Sequence, residues 1–281
     1  MSAKLQTRRF NLDDIEIAYS EIPGTEPPML LLHGLTGHRD DFTPMLPELA
    51  EACGGLRILV PDLRGHGDST HSGDADSFTF ERCVADLFAF LDGLGIDRCH
   101  LLGHSLGGMV SLRFALAHPE RLASLVLMST SPFAPPGYER ETFEKAGAIG
   151  EARGMAFLQM LVEKASQNSD SKSNRQIAKW AEEYWPHHRH RYRAMDPVCY
   201  RGLGVAMTDQ ESQVDRLGEL RCPTTVLSGL DDEDFVSGAT ALAEGIPDAQ
   251  LVELSDAGHH PHREDTDGWL SAMRAHLERL P

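Results

Sequence analysis

Ser105 stands in the run Gly103-His104-Ser105-Leu106-Gly107, followed at once by Gly108. The run lies between an apolar stretch at 99–102 and a helix-period segment at 106–117. A G-x-S-x-G placed between a strand and a helix turns so tightly that the serine is strained and its Oγ exposed, which suits nucleophilic attack by a hydroxyl. The glycines two positions away remove side chains that would keep strand and helix apart. A serine attacks only with a base and an orienting acid beside it. Downstream, one apolar run ends in Ser228-Gly229-Leu230-Asp231-Asp232-Glu233-Asp234 and the next is followed by Asp256-Ala257-Gly258-His259-His260-Pro261. The chain order is thus serine, acid, imidazole. His259 would take the serine proton and return it to the leaving group, with His260 as its rival and His262 a weaker one. The acid comes from Asp231, Asp232 or Asp234. A tetrahedral oxyanion also wants two backbone donors. The Leu106 N–H is one, and the glycine-rich turn Leu32-His33-Gly34-Leu35-Thr36-Gly37 can present the Leu35 N–H as the other.

These groups are useful only if the fold delivers them to one place. Apolar runs at 28–32, 56–60, 99–102, 122–128, 224–227 and 249–254 read as buried parallel strands, and residues 9–19 as a short hairpin around Asp13-Asp14. Helix-period segments fall at 40–53, 80–94, 106–117, 238–245 and 262–280. Alternating strand and helix predicts an α/β fold with a mostly parallel sheet covered on both faces. Serine, acid and histidine each follow a strand end, the side on which such sheets bind ligands. Residues 134–217 break the rhythm, with helical patches at 155–165 and 175–185 but no strand. An interval of that length is not left structureless in a compact chain, so a helical insertion, a candidate lid, is expected there.

The composition narrows the partners. The 281 residues carry 26 Lys and Arg against 43 Asp and Glu, a formal charge of −17. Such a chain repels phosphate backbones and anionic lipid surfaces, so neither nucleic acid nor membrane is expected as a partner. The five cysteines are widely spaced without C-x-x-C, which argues against a disulfide framework or a zinc site. The first fourteen residues hold no apolar leader, and no apolar stretch is long enough to span a membrane, so the expected location is cytoplasmic. Residues 134–217 balance twelve basic against twelve acidic side chains, leaving fourteen against thirty-one elsewhere. The acidity belongs to the part that bears the sheet.

Over nearly its whole length the chain resembles the α/β-hydrolase fold superfamily. The matching pieces are LLLHGLTG at 30–37, VPDLRGHGDST at 60–70, LLGHSLGGMVSLRFALAHPERLASLVLMS at 101–129, TTVLSGLDD at 224–232 and DAGHHPHRED at 256–265, in the family's order. The resemblance implies an eight-stranded sheet and a cap inserted after the sixth strand. It divides the chain into a core of 1–133 and 218–281 and a cap of 134–217. It selects Asp232 by the family's G-x-x-D spacing and His259 by its G-H-x-P-like turn. The acid loop departs from the family in lacking a proline after the aspartate, which leaves Asp231 and Asp234 open. The wording is similar to capped esterases, enol-lactonases and carbon–carbon bond hydrolases. It departs from dehalogenases and epoxide hydrolases, which carry Asp where this chain has Ser105.

The expected function is a serine hydrolase using Ser105, Asp232 and His259, with Leu35 and Leu106 as oxyanion donors. Its substrate would be a small, apolar ester or lactone, and it would need no cofactor or metal. The alternatives are carbon–carbon hydrolysis, acyl transfer or perhydrolysis on the same residues, or a ligand receptor without turnover. Two other features have plain readings. The 185–193 run of His187, His188, His190 and three arginines shows no carboxylate or cysteine at ligand spacing nearby, so it reads as a solvated face, with an arginine available for a substrate carboxylate. Asp62, Arg64 and His66 read as ties within a loop beneath the site. Four of the five tyrosines and two of the three tryptophans fall within 134–217. They serve either as the cap's own core or as an apolar cover over a pocket.

Overall fold

The computed structural model describes residues 5–280; the N-terminal stretch read above for a leader begins with four residues outside that range. Eight strands form one sheet: β1 (Gln6–Asn11), β2 (Glu16–Ile22), β3 (Thr25–Leu32), β4 (Leu56–Pro61), β5 (Cys99–His104), β6 (Leu122–Met128), β7 (Thr224–Gly229) and β8 (Gln250–Leu254). Their order is β1-β2-β4-β3-β5-β6-β7-β8. The β1–β2 and β2–β4 pairs are antiparallel and every other pair is parallel. The central strands are apolar throughout because both faces are covered. Alternate residues supply the two layers: Leu30, Leu32, Leu59 and Leu101 face one core, and Met29, Leu31, Ile58, Val60 and Leu102 face the other.

The helices of the sheet layer are α1 (Leu46–Ala52), α2 (Phe80–Gly93) and α3 (Leu106–Ala117). Between β6 and β7 come α4 (Arg140–Arg153), α5 (Met155–Gln167), α6 (Lys172–Lys179), α7 (Ala181–Arg193) and α8 (Pro197–Asp209); α9 (Val236–Gly245), α10 (Pro261–Glu264) and α11 (Thr266–Glu278) close the chain. Among the described residues no helix is long and apolar enough to cross a membrane. The junction of α7 and α8 is stitched to the loop after β4: Asp196 N–H donates to Gly65 C=O at 2.9 Å, and Gly73 N–H to Asp196 Oδ2 at 2.9 Å.

Three expected helices are broken. Residues 40–53 form two short 3-10 turns before α1, because Pro44 and Pro47 lack the N–H that a continuous helix would use. The 175–185 patch is split at Trp180, whose φ of −134° ends α6. The last segment restarts at Asp265, which leaves helical geometry and caps α11 by accepting Gly268 N–H at 3.0 Å.

Winding reverses between β3 and β5. From β3 the chain moves outward to β4, and from β5 outward the other way to β6, so the loops after β3 and β5 part beside each other at the carboxyl end of the sheet. Leu32 pairs with Gly103 in register, which sets Gly34 beside Ser105 two residues further on.

Candidate active site

Ser105 sits between β5 and α3 with φ 55° and ψ −121°, a left-handed backbone that few L residues adopt. The turn is held from behind. Ser105 N–H donates to Met128 C=O at 2.9 Å, and Ser105 C=O accepts from Thr130 Oγ1 at 2.7 Å. A Cβ at Gly103 would come 2.3 Å from both the Gly107 carbonyl oxygen and Ser111 Oγ, and one at Gly107 would come 2.5 Å from the His33 carbonyl oxygen. Gly103→Ala or Gly107→Ala must therefore push backbone apart. Each is expected to lower the melting temperature by several degrees in a thermal-shift assay, about 1–3 kcal/mol of overpacking.

The acid and the imidazole come from the loops after β7 and β8, which run in register to Gly229 and Leu254. His259 Nδ1 lies 3.1 and 3.0 Å from Asp232 Oδ1 and Oδ2. Asp232 is buried and the His259 ring stacks on Phe235, its centroid 4.7 Å away. Burial disfavours the imidazolium, but the facing carboxylate outweighs it and holds His259 above the ordinary imidazole value. Asp231 points elsewhere, accepting Gln176 Nε2 from α6 at 2.6 Å. Asp234 lines the cavity near Tyr138, and burial raises its carboxyl above the usual range. Of the rival imidazoles, His260 lines the cavity, whereas His262 is buried against Phe42 at 4.8 Å.

The turn after β3 is fixed by two histidines. Leu63 N–H donates to His33 Nε2 at 3.0 Å, so the ring proton is on Nδ1 and is donated to Gly34 C=O at 2.9 Å. Gly37 N–H donates to the same carbonyl at 3.0 Å. In a trans peptide the N–H lies opposite the C=O, so the Leu35 N–H is turned away from these partners. Gly34 meanwhile packs so close to the serine that a Cβ would stand 3.1 Å from Ser105 Cβ. Leu35 C=O is gripped in turn by His66 Nε2 at 2.5 Å. The Leu106 N–H is among the first donors of α3, which have no acceptor within the helix.

Ser105, His259 and Leu35 line one cavity of about 470 Å³, roofed by Tyr138, Phe143, Tyr184, Tyr192 and Tyr200 from the β6–β7 segment. Tyr184, Tyr192 and Tyr200 fill both roles considered above, being buried and also facing the cavity, while Tyr138 is half-buried. Arg191 reaches the cavity too. Its Nη1 stands 3.3 Å from Asp41 Oδ1, which also accepts from His187 Nε2 at 2.6 Å. The remaining loop residues are structural ties: Asp62 binds Arg39, and Arg64 grips Asp86 with bonds of 2.5 and 2.7 Å.

Sequence reading passed over two supports. His104 Nε2 donates to the His259 carbonyl at 2.7 Å, and Glu264 Oε2 accepts both Gly258 N–H at 2.7 Å and His260 N–H at 3.2 Å. Both hold the histidine loop, and neither has a motif of its own; only proximity reveals them.

Around this site the protein keeps imidazoles neutral. Burial pushes His66 down to about 4, His104 to about 3 and His188 to about 2, and holds His260 and His262 well below the usual value. At the other end of the sheet burial lowers His276 to about 4. The unfolded chain protonates these groups from about pH 6.5 downward while the folded one does not, so each costs roughly 1.4 kcal/mol of stability per pH unit down to its folded value. His259 works the other way, since its raised folded value favours the folded state at low pH. Burial also lowers His33, His38 and His100, so nine lowered imidazoles against one raised decide the sign. The melting temperature is expected to fall by more than 10 °C between pH 7 and pH 5, measured by calorimetry, and a flat profile would refute the buried-neutral assignment.

A family model described as alpha/beta hydrolase fold matches residues 27–266. The chain is similar to the sn-1-specific diacylglycerol lipase ABHD11 of Mus musculus, 36% identical over 124 residues, which is 43% of this chain and 39% of that protein. It is also similar to Lipase 3 of Moraxella sp. (strain TA144), 26% identical over 91% of this chain and 79% of the lipase. Among solved structures it resembles a malate-bound thermophilic esterase from Thermogutta terrifontis, with a TM-score of 0.83, 27% identity and coverage of 98% and 99% of the two chains.

Proposed function

Because the chain belongs to the alpha/beta hydrolase fold family, we propose that it is a serine hydrolase cleaving a small, apolar carboxylic ester or lactone through an acyl-enzyme on Ser105. The observation that carries this reading is the imidazole of His259, held by both carboxylate oxygens of Asp232 on the wall of the cavity that also exposes Ser105. His259 accepts the serine proton through Nε2 while Asp232 keeps the other ring proton on Nδ1 and stabilises the imidazolium. Ser105 Oγ attacks the carbonyl carbon, and the Leu35 and Leu106 N–H groups receive the oxyanion. The imidazolium then protonates the leaving alcohol, and water repeats the sequence to free the acid. The lipase and esterase names of the relatives support an ester as substrate.

The cavity favours a neutral acyl group. Its roof is aromatic, Glu139 and Asp234 on its wall would repel an anion, and the charge of Arg191 is already met by Asp41. Carboxylate substrates would have to compete with that buried pair, at a cost of several kcal/mol. A panel of nitrophenyl esters and lactones of graded size tests the reading: hydrolysis should peak at short-to-medium apolar acyl groups, and negligible turnover across the panel would overturn it.

A further inference from the structure

His38, Asp40 and His190 meet at the seam between the loop after β3 and helix α7. Among the described residues their ligand atoms all lie within 4.8 Å of one another. Asp40 Oδ2 is the hub, 3.4 Å from His38 Nδ1 and 3.8 Å from His190 Nε2. Donors on a tetrahedral ion with arms of about 2.0–2.1 Å stand roughly 3.3–3.4 Å apart; the two Asp40 distances are within a few tenths of an ångström of that, and the two imidazole nitrogens, which lie within 4.8 Å of each other, must reach the same spacing. The two rings already pack edge to face with centroids 4.9 Å apart. His38 is buried and fixed in place, while His190 is exposed and leaves a further position open to water.

The local charge favours a cation. Asp40, Asp41, Asp62 and Asp68 outnumber the arginines that face them, Arg39, Arg191 and, beside Asp68, Arg9, and Asp62 Oδ1 lies 3.9 Å from His38 Nδ1. We propose that His38, Asp40 and His190 form a site for a borderline divalent cation of the zinc class, which clamps α7 to the loop that carries Leu35. Two imidazoles and one carboxylate suit Zn²⁺ or Ni²⁺ and reject Mg²⁺, which prefers an all-oxygen shell. His38 Nδ1 now accepts Asp40 N–H at 3.0 Å, so the ion exchanges this cap bond for coordination. The clamp joins two walls of the cavity: Tyr184, Arg191 and Tyr192 come from α7, and Gly34 to Gly37 from the loop. The His-rich run at 185–193 thus finds its carboxylate some 150 residues away in the chain, which is why spacing along the sequence did not disclose it.

The test uses tag-free, full-length, chelator-treated protein titrated with ZnCl₂ by calorimetry, with MgCl₂ in parallel. One Zn²⁺ per chain is expected, and a hundredfold excess over Kd should raise the melting temperature by roughly 5 °C. Hydrogen exchange should slow in α7 and in residues 34–41 together. His190→Ala, a change at an exposed side chain, and Asp40→Asn should each weaken binding at least tenfold. No Zn²⁺ uptake, equal Mg²⁺ uptake, or parent-like affinity in Asp40→Asn would overturn the site, and protection confined to one of the two elements would overturn the clamp. If His190→Ala melts early in chelator, Asp40→Asn alone decides.

Discussion

Ser105→Ala is expected to lower kcat on the best nitrophenyl ester about a millionfold and to abolish labelling by a fluorophosphonate probe. The size follows from the chemistry: without Oγ there is no acyl-enzyme, and only binding and the oxyanion donors remain, leaving roughly a thousandfold to ten-thousandfold over water. The fold should be indifferent, because the turn is held by the Ser105 backbone and not by its hydroxyl. A melting temperature within a few degrees of the parent is therefore part of the expectation. Ser105→Gly should melt no lower than Ser105→Ala, since glycine accepts φ 55° without strain. Persistent labelling of Ser105→Ala would show that another nucleophile does the work.

Asp232→Asn is expected to cost about ten-thousandfold in kcat with little change in KM. Asparagine can offer His259 Nδ1 a donor in place of an acceptor, which shifts the ring proton to Nε2, where it faces the serine and blocks proton transfer. The pH profile gives an independent reading. In the parent His259 must be neutral to act as base, and its raised value means that activity fades as pH falls through a midpoint above 6.5. Without the carboxylate, burial is opposed only by the weaker pull of Glu264 and Asp234, and the acid limb of the residual activity should move to lower pH. Asp231→Asn should leave kcat close to the parent, because its carboxylate is engaged by Gln176 and not by His259. If Asp231→Asn were the damaging change, the acid would be misassigned.

The strands were legible because burial on both faces leaves an uninterrupted apolar run, and every run read as a strand lies on one of the sheet's strands. Helix ends were less so. Trp180, the prolines before α1 and Asp265 divide segments whose apolar period continues, since period records which side is buried and not where the backbone bends. The five-helix content of the β6–β7 segment was visible only as two patches, because its outer faces are polar and its helices are held by one another and by the tyrosine-lined cavity.

By itself the sequence determined the sheet, the sharp turn at Ser105, and the placing of an acid-rich loop and a histidine-rich loop after the last two strands. Those are local properties: glycine where side chains collide, apolar runs where both faces are covered. The resemblance selected Asp232 and His259 but left Asp231 and Asp234 open, and the pairing itself is made in three dimensions. The bonds from Leu230 N–H to Leu254 C=O and from Asp231 N–H to Ala257 C=O set the register of the two loops, and that register turns Asp232 toward His259 and Asp231 toward Gln176. Neighbouring aspartates are equivalent in charge; the family's spacing pointed to Asp232, and the pinned backbone beneath them is what physically separates it from Asp231.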